Sequence, residues 1–449
     1  MQVGDKIELT IEKLNSEGDG LARYEGFVFF VKNSCPEDVL ECRITKLNKS
    51  YGYAEILNVI TPSQYRVVPV CKLHKICGAC NLQHISYEAQ LKYKKQALIE
   101  TLNLPEKYLS LVKDIMTVGD GFTYRAKVQY PVGSKNNSSR ILAGYYKKSS
   151  HELVNIKYCP IQPRIIDELV EFIKTAAENC QIPAYSEKKH SGILRHIVVR
   201  YSEYNHKMLV LLVVNSNEIM QSLRRLAHQI FEAFEDVVGV SINFNTKRSN
   251  VILGDRSESI VGQDYIEEKL CDVVFKISGD TFFQVNPKCA NLMFGFIKDY
   301  IKSRFERPVV FDAYAGIAAF GIVLSDVAKD VISVEINEQS IKKASENIAS
   351  MNIENIKVFA KDTMKFLEDF EGNFDVTIID PPRKGSDIVS LKKIAEITDK
   401  MLVYVSCNPA TLARDLKFLF ELGFVPELIQ PFDMFPQTGH VETVVFLSR

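Results

Sequence analysis

The residues best equipped for chemistry lie near the end of the chain. Cys407 stands in Tyr404-Val-Ser-Cys407-Asn-Pro-Ala-Thr, and Glu442 closes Gly439-His440-Val-Glu442. The apolar run before Cys407 reads as a strand. Asn408 suits a helix N-cap and Pro409 the first helical position. Cys407 is therefore expected at a strand end beside a helix N-terminus, where the helix dipole should lower its pKa and favour thiolate. A buried structural cysteine is the bland alternative, and the strand-end position argues against it. A thiolate and a carboxylate together suit substitution at carbon 5 of uracil. Thiolate addition at carbon 6 makes carbon 5 nucleophilic toward a methyl donor. A base must then take the carbon 5 proton so that the thiol can leave. Cys407 and Glu442 are read in these roles. His440 is an alternative base, but its place on the same loop is more simply structural.

These two residues need a frame that brings them together. From about Phe275 the sequence alternates strands and helices. Val309 to Asp312, Val331 to Glu335, Ile356 to Ala360, Phe374 to Asp380 and Met401 to Ser406 read as strands, and Gln339 to Met351 as a helix. Such alternation means a doubly wound α/β domain with a parallel sheet. Ligands in these sheets bind beyond the carboxyl ends of the strands. Asp312, Glu335, Asp380 and Cys407 fall at those ends. The loop Asp312-Ala-Tyr314-Ala-Gly316-Ile-Ala318 is small enough for close backbone approach to a ligand. Glu335 can accept ribose hydroxyls, and Asp362 can reach an adenine amino group. No G-x-G-x-x-G is present, so S-adenosyl-L-methionine, which has no pyrophosphate, fits better than a dinucleotide. Asp380-Pro-Pro-Arg383 forces an extended turn that turns the carboxylate into the cleft.

Ahead of this domain, residues 1–62 read as short strands, Lys6 to Glu12, Gly26 to Val31, Asp38 to Lys46 and Tyr53 to Ile60. They suggest a small oligonucleotide-binding type barrel. Residues 63–276 form a central α+β segment, with helices near Tyr87 to Leu102, Ile165 to Asn179 and Ile219 to Phe234. Residues 277–449 form the catalytic domain. Between Gly121 and Ser150, Arg125, Lys127, Lys135, Arg140, Lys147 and Lys148 interleave with Tyr124, Tyr130, Tyr145 and Tyr146, with no acidic residue. This composition suits phosphate and base contacts, or equally a solvated sheet face.

Taken together, the sequence resembles the RNA 5-methyluridine methyltransferase family over nearly its whole length. Phe283-Gln284-Val-Asn286, Asp380-Pro-Pro-Arg383, Ser406-Cys407-Asn408-Pro409 and His440-Val-Glu442 carry the resemblance. It implies a class I, Rossmann-like methyltransferase domain and adenosylmethionine contacts from Gln284, Tyr314, Glu335, Asp362 and Asp380. It also implies Cys407 as nucleophile and Glu442 as base. The N-terminal segment is similar to a TRAM domain. The family usually has glycine where Ala318 stands and often cysteine at Ala315, which puts cofactor affinity in question.

Ten cysteines are many for a chain expected in the cytosol, and clustering there suggests metal or catalysis rather than disulfides. Cys71, Cys77 and Cys80 lie on one loop, and Cys159, followed by proline, is the candidate fourth ligand. Sulfur ligation alone would serve iron–sulfur or zinc. The resemblance implies a 4Fe-4S cluster on these four, in a structural or RNA-binding role. His74, inside the loop, is not needed as a ligand. Cys35, Cys42, Cys180, Cys271 and Cys289 read as small core residues.

The 449 residues carry a net charge of -1, which does not advertise nucleic-acid binding by itself. No stretch is long and apolar enough to span a bilayer, and charged residues occupy the start where a signal peptide is apolar. A cytoplasmic monomer is expected. The expected partner is RNA, with 23S ribosomal RNA first and transfer RNA as the alternative. Two other functions compete. Methylation of an exocyclic amine would not need Cys407. A non-catalytic iron–sulfur RNA-binding protein would not need both Cys407 and Glu442.

Overall fold

The computed structural model describes residues 1–135, 138–148 and 150–449. Its C-terminal part is built on a seven-stranded sheet. The strands are β1 (Val309–Ala313), β2 (Asp330–Glu335), β3 (Ile356–Ala360), β4 (Phe374–Ile379), β5 (Thr398–Ser406), β6 (Val425–Phe432) and β7 (Glu442–Ser448). Their order is β3-β2-β1-β4-β5-β7-β6. Strands β1 to β5 pair in parallel, while β7 runs antiparallel to both β5 and β6. The parallel sheet expected from alternating strands and helices is formed by β1 to β5. The antiparallel end arises because β6 and β7 are joined by a short loop, residues 433–441, with no crossover helix.

The helices are α1 (Pro287–Arg304), α2 (Ala319–Leu324), α3 (Glu338–Ser350), α4 (Thr363–Glu368), α5 (Ile388–Ile397) and α6 (Pro409–Glu421). The central strands are near-continuous Val, Ile and Phe runs because helices cover both faces. On one face Phe294 of α1 stacks on Phe320 of α2 with ring centroids 4.1 Å apart. On the other, Phe311 stacks on Phe374 at 4.9 Å. Burial of this kind stabilises by about 25 cal/mol per Å² of apolar area. It fixes the strand ends from which the site is built.

At the N-terminus, six strands between Lys6 and Thr61 form one sheet around Phe29, Leu40 and Ile11. The strand Lys6–Thr10 also lies against Gly20–Tyr24, so the sheet curls on itself. A second six-stranded sheet, from Lys127–Gly133 to Arg256–Gly262, packs on helices Arg164–Asn179 and Gln221–Ala233.

Two pieces of the middle segment join the methyltransferase core instead. Leu98 and Leu102 of the helix Tyr87–Leu102 pack with Phe311 and Tyr404. The hairpin of Tyr265–Leu270 and Val273–Ser278 packs with α1, and the boundary expected at residue 276 falls inside its second strand.

The tyrosine-and-cation stretch is not the uniform RNA surface that its composition allowed. Tyr124 and Tyr130 are buried, and the Tyr130 hydroxyl donates to Gln162 Oε1 at 2.8 Å. Lys127 is buried too, while Lys135 and Arg140 face solvent. The strand Lys127–Gly133 is buried along nearly its whole length, while Lys135 and Arg140 lie beyond its end. No helix among the described residues is long and apolar enough to cross a membrane.

Candidate active site

A cavity of about 1700 Å³ opens over the carboxyl ends of the central strands. It is lined by Gln284, Tyr314, Glu335, Asp362, Asp380, Cys407 and Glu442, so every expected cofactor and catalytic residue reaches one space. These residues come from the segment before α1, from the ends of the five strands β1 to β5 and from the start of β7.

At the catalytic end, Cys407 follows the last residue of β5 and precedes α6. Asn408 caps α6, its Oδ1 accepting the Ala410 N–H at 3.1 Å, with Pro409 at the first helical position. The expected local geometry is therefore present. The expected electrostatics are not. Burial pushes the Cys407 thiol up to about 11, and the carboxyls of Glu442 and Asp380 push in the same direction. Arg383, which hydrogen-bonds the sulfur, pulls the other way and is outweighed. Helix-dipole effects are fractions of a kcal/mol to about 2 kcal/mol, too small to offset desolvation beside two carboxyls. The ligand-free site thus holds a thiol.

Glu442 is 3% exposed. Burial raises its pKa, the Asp380 carboxyl raises it further, and Arg383 lowers it. Burial also raises Asp380. Two carboxyls that share a water-poor cleft hold protons more tightly than either would alone. His440 is exposed, and its Nε2 lies 3.3 Å from an Arg383 amino group.

Arg383 is the functional side chain that sequence reasoning quoted but did not assign. It acts on both Cys407 and Glu442, and its carbonyl accepts Asn408 Nδ2 at 3.0 Å. Its place directly after Asp380-Pro-Pro was the available signal.

At the cofactor end, Glu335 Oε2 accepts the Gly316 N–H at 3.0 Å and Oε1 accepts the Asn337 N–H at 2.9 Å. Asp362 caps α4, its Oδ1 accepting the Met364 N–H at 3.0 Å. The Tyr314 hydroxyl lies 3.0 Å from Ser386 Oγ. Gly316 has φ +56° and nothing near its missing Cβ, so the loop leaves open space there. Ala318 also has a left-handed backbone, φ +56° and ψ +38°. The loop keeps the conformation that glycine would adopt freely, with alanine in it.

Away from this cavity, Cys71, Cys77, Cys80 and Cys159 all line a small cavity of about 20 Å³, together with His74. The long-range member of the set is thus placed beside the other three. Among the described residues, however, no group of three or more His, Cys, Asp or Glu side chains converges into a metal-binding set. The donor chemistry suits a thiophilic metal or cluster, while the closed ligand shell expected from the sequence is not formed. Of the cysteines read as core, Cys35, Cys42, Cys180 and Cys289 are buried, but Cys271 is half-exposed at a hairpin turn.

A seven-stranded sheet of this order, with acidic strand ends around one cleft, defines an adenosylmethionine-dependent methyltransferase. Comparison with known proteins narrows the class. The family model described as tRNA (uracil-5-)-methyltransferase matches residues 87–449, and the TRAM domain model matches residues 1–57. An uncharacterized RNA methyltransferase of Halalkalibacterium halodurans is 35% identical, covering 99% of this chain and 97% of that protein. One from Clostridium acetobutylicum is 37% identical, covering 98% and 96%. Among solved structures, the Pyrococcus abyssi tRNA (uracil-54, C5)-methyltransferase in complex with S-adenosyl-L-homocysteine matches with a TM-score of 0.77. It is 27% identical, covering 98% of this chain and 99% of that one. The chain belongs to the tRNA (uracil-5-)-methyltransferase family, an adenosylmethionine-dependent RNA methyltransferase with a TRAM domain at its start.

Proposed function

We propose that this protein methylates carbon 5 of a uridine in structured RNA through a covalent adduct between Cys407 and carbon 6. The observation that carries the reading is the shared cavity, in which Cys407, Glu442, Asp380 and Arg383 meet. When bound, adenosylmethionine supplies the electrophilic methyl. Gln284, Tyr314, Glu335, Asp362 and Asp380 are the residues that would hold it. Glu335 has a second lone pair on each oxygen for ribose hydroxyls, and Gly316 leaves the backbone open beside it.

Cys407 sulfur adds to carbon 6 as thiolate, its proton passing to water, so that Glu442 is left as carboxylate for the later step. Arg383, beside the sulfur, stabilises the negative charge. Carbon 5 then becomes the nucleophile for the methyl group. Glu442 takes the carbon 5 proton, the ring double bond re-forms, and the sulfur leaves. The target base must leave its stack to reach this cavity. Residues 1–62, 63–276 and 277–449 serve in this reading as RNA-binding barrel, central RNA-binding segment and catalytic domain of a cytoplasmic monomer.

The expected substrate is 23S ribosomal RNA. A second reading, transfer RNA, is favoured by the likeness to the Pyrococcus abyssi enzyme, which covers 99% of that chain. The test is incubation with adenosylmethionine and 5-fluorouridine-substituted 23S ribosomal RNA fragments or transfer RNA. Fluorine blocks removal from carbon 5, so the adduct persists on the true substrate. It must vanish in Cys407→Ala, and absence of any adduct with either RNA would sink the proposal.

Cys71, Cys77, Cys80 and Cys159 are proposed to hold the 4Fe-4S cluster, supported by their common cavity. Iron and acid-labile sulfide in anaerobically purified protein test this, with loss expected in Cys159→Ala. A protein purified with zinc alone would refute the cluster.

A further inference from the structure

The loop that ends on Glu442, residues 433–441, is fastened by segments remote from it in sequence. Gln437 is its most heavily bonded member. It is 2% exposed and has φ +67°, a left-handed conformation that a non-glycine residue keeps only when its surroundings over-determine it. Its carbonyl accepts the N–H groups of both Asn81 and Leu82, each at 3.0 Å. These two residues directly follow Cys80.

The Gln437 side chain is paired as well. Gln90 Nε2 donates to Gln437 Oε1 at 2.9 Å, and the Gln437 N–H donates to Gln90 Oε1 at 3.2 Å. Gln90 is itself 1% exposed and donates to Ile85 O at 2.8 Å. This reciprocal amide pair ties the loop to the helix Tyr87–Leu102. Nothing in the chemistry of uridine addition uses it.

We propose that Gln437 is a positioning residue that sets the reach of Glu442 by locking its loop to Asn81, Leu82 and Gln90. The inference rests on the reading of Glu442 as the base. Cys407 directly follows β5, a central strand held on both sides by β4 and β7. Its place is set by strand pairing with β4 and β7, whereas Glu442 comes directly out of the 433–441 loop as the first residue of β7 and pairs with Phe432 at the other end of that loop. Loosening the loop should therefore spare addition and methyl transfer while impairing the last step. In that step Glu442 takes the carbon 5 proton. The pair from the C–H bond forms the carbon 5–carbon 6 double bond, and the carbon 6–sulfur pair leaves with Cys407 as thiolate. If the base is out of reach, the methylated adduct persists on ordinary uridine.

The experiment compares full-length Gln437→Ala, Gln90→Ala and Glu442→Gln with adenosylmethionine and unmodified uridine-containing RNA. The expected result for the two glutamine variants is a kcat lower by up to roughly 10²-fold, the scale of a misplaced catalytic group. KM values for RNA and adenosylmethionine should hold. A denaturant-resistant protein–RNA adduct carrying the transferred methyl should accumulate in all three variants. Slow glutamine variants without the adduct, while Glu442→Gln forms it, overturn the positioning role alone. No adduct in Glu442→Gln overturns the base assignment on which it rests. If Gln437→Ala fails to fold, Gln90→Ala decides, since it breaks the same amide pair and leaves Gln437 itself in place; the bonds from Asn81 and Leu82 go to the Gln437 backbone carbonyl and persist in both variants.

Discussion

Lys94 Nζ lies 2.6 Å from Asp433 Oδ1, and both side chains are closed to solvent. The Tyr87 hydroxyl donates to the other carboxylate oxygen at 2.9 Å, and Lys94 also donates to Phe435 O at 3.2 Å. A buried charge network thus fastens the helix Tyr87–Leu102 to the first turn of the loop that ends on Glu442. It lies on the same path as the Gln90–Gln437 pair.

Lys94→Met should be severely destabilising, because it leaves the Asp433 carboxylate buried without its cation. The expected cost is about 3–5 kcal/mol. Lys94→Met combined with Asp433→Leu should recover much of it, since removing both charges removes the unpaired one. Urea midpoints of the three proteins decide this. A single-variant cost under about 1 kcal/mol would mean that Asp433 is solvated or protonated.

Ala318→Gly should be close to neutral. Relief of the left-handed alanine gains roughly 1–2 kcal/mol. Loss of its buried methyl costs about 0.8 kcal/mol, and the added chain entropy of glycine about 0.5–1 kcal/mol. The three nearly cancel, so neither the unfolding midpoint nor the adenosylmethionine Kd should move far. Ala318→Val, with a branched side chain at φ +56°, should destabilise by at least about 2 kcal/mol. Calorimetric titration and urea unfolding check both. A large gain in affinity for Ala318→Gly would show that alanine holds the loop in the wrong shape.

Iodoacetamide should label Cys407 slowly at neutral pH in the ligand-free protein, with a rate that rises toward about pH 11. Glu442→Gln removes a negative neighbour, so the same rate curve should move to lower pH. Mass spectrometry of the Cys407 peptide separates it from the other thiols. Fast labelling of the parent at pH 7 would mean that Arg383 and the helix N-terminus dominate over burial.

Glu442 should also shape the pH dependence of stability. Its folded pKa is raised from the ordinary 4.5, so the native state holds the proton more tightly than the unfolded chain. That contribution is fully present below the unfolded pKa and fades as pH rises through the folded one. Glu442→Gln should therefore match the parent in acid and melt higher above neutral pH. Equal Tm values at pH 5 and pH 8.5 would contradict this.

Much of the molecule was legible before any coordinates. Short-range order set the strands of the methyltransferase sheet, whose ends differ from expectation by few residues, because apolar runs and flanking turns act locally. The motif residues all reached one cavity because strand ends in a doubly wound sheet point the same way. Residue types alone also made the case for a thiol and a carboxyl working together, and for four cysteines meeting.

Tertiary structure decided the rest. The protonation of Cys407 depends on burial and on two carboxyls brought to it from other strands, so the helix-start argument alone pointed the wrong way. Tyr124 and Tyr130 became core rather than RNA platform because they pack into the cluster that the second sheet forms with its helices. The cysteines share a cavity without closing on a metal-ligand geometry, which depends on distances that spacing along a chain does not contain. The fastening of Glu442 through Gln437, Gln90, Lys94 and Asp433 was invisible for the same reason. Those partners are hundreds of residues apart, and only packing makes them neighbours.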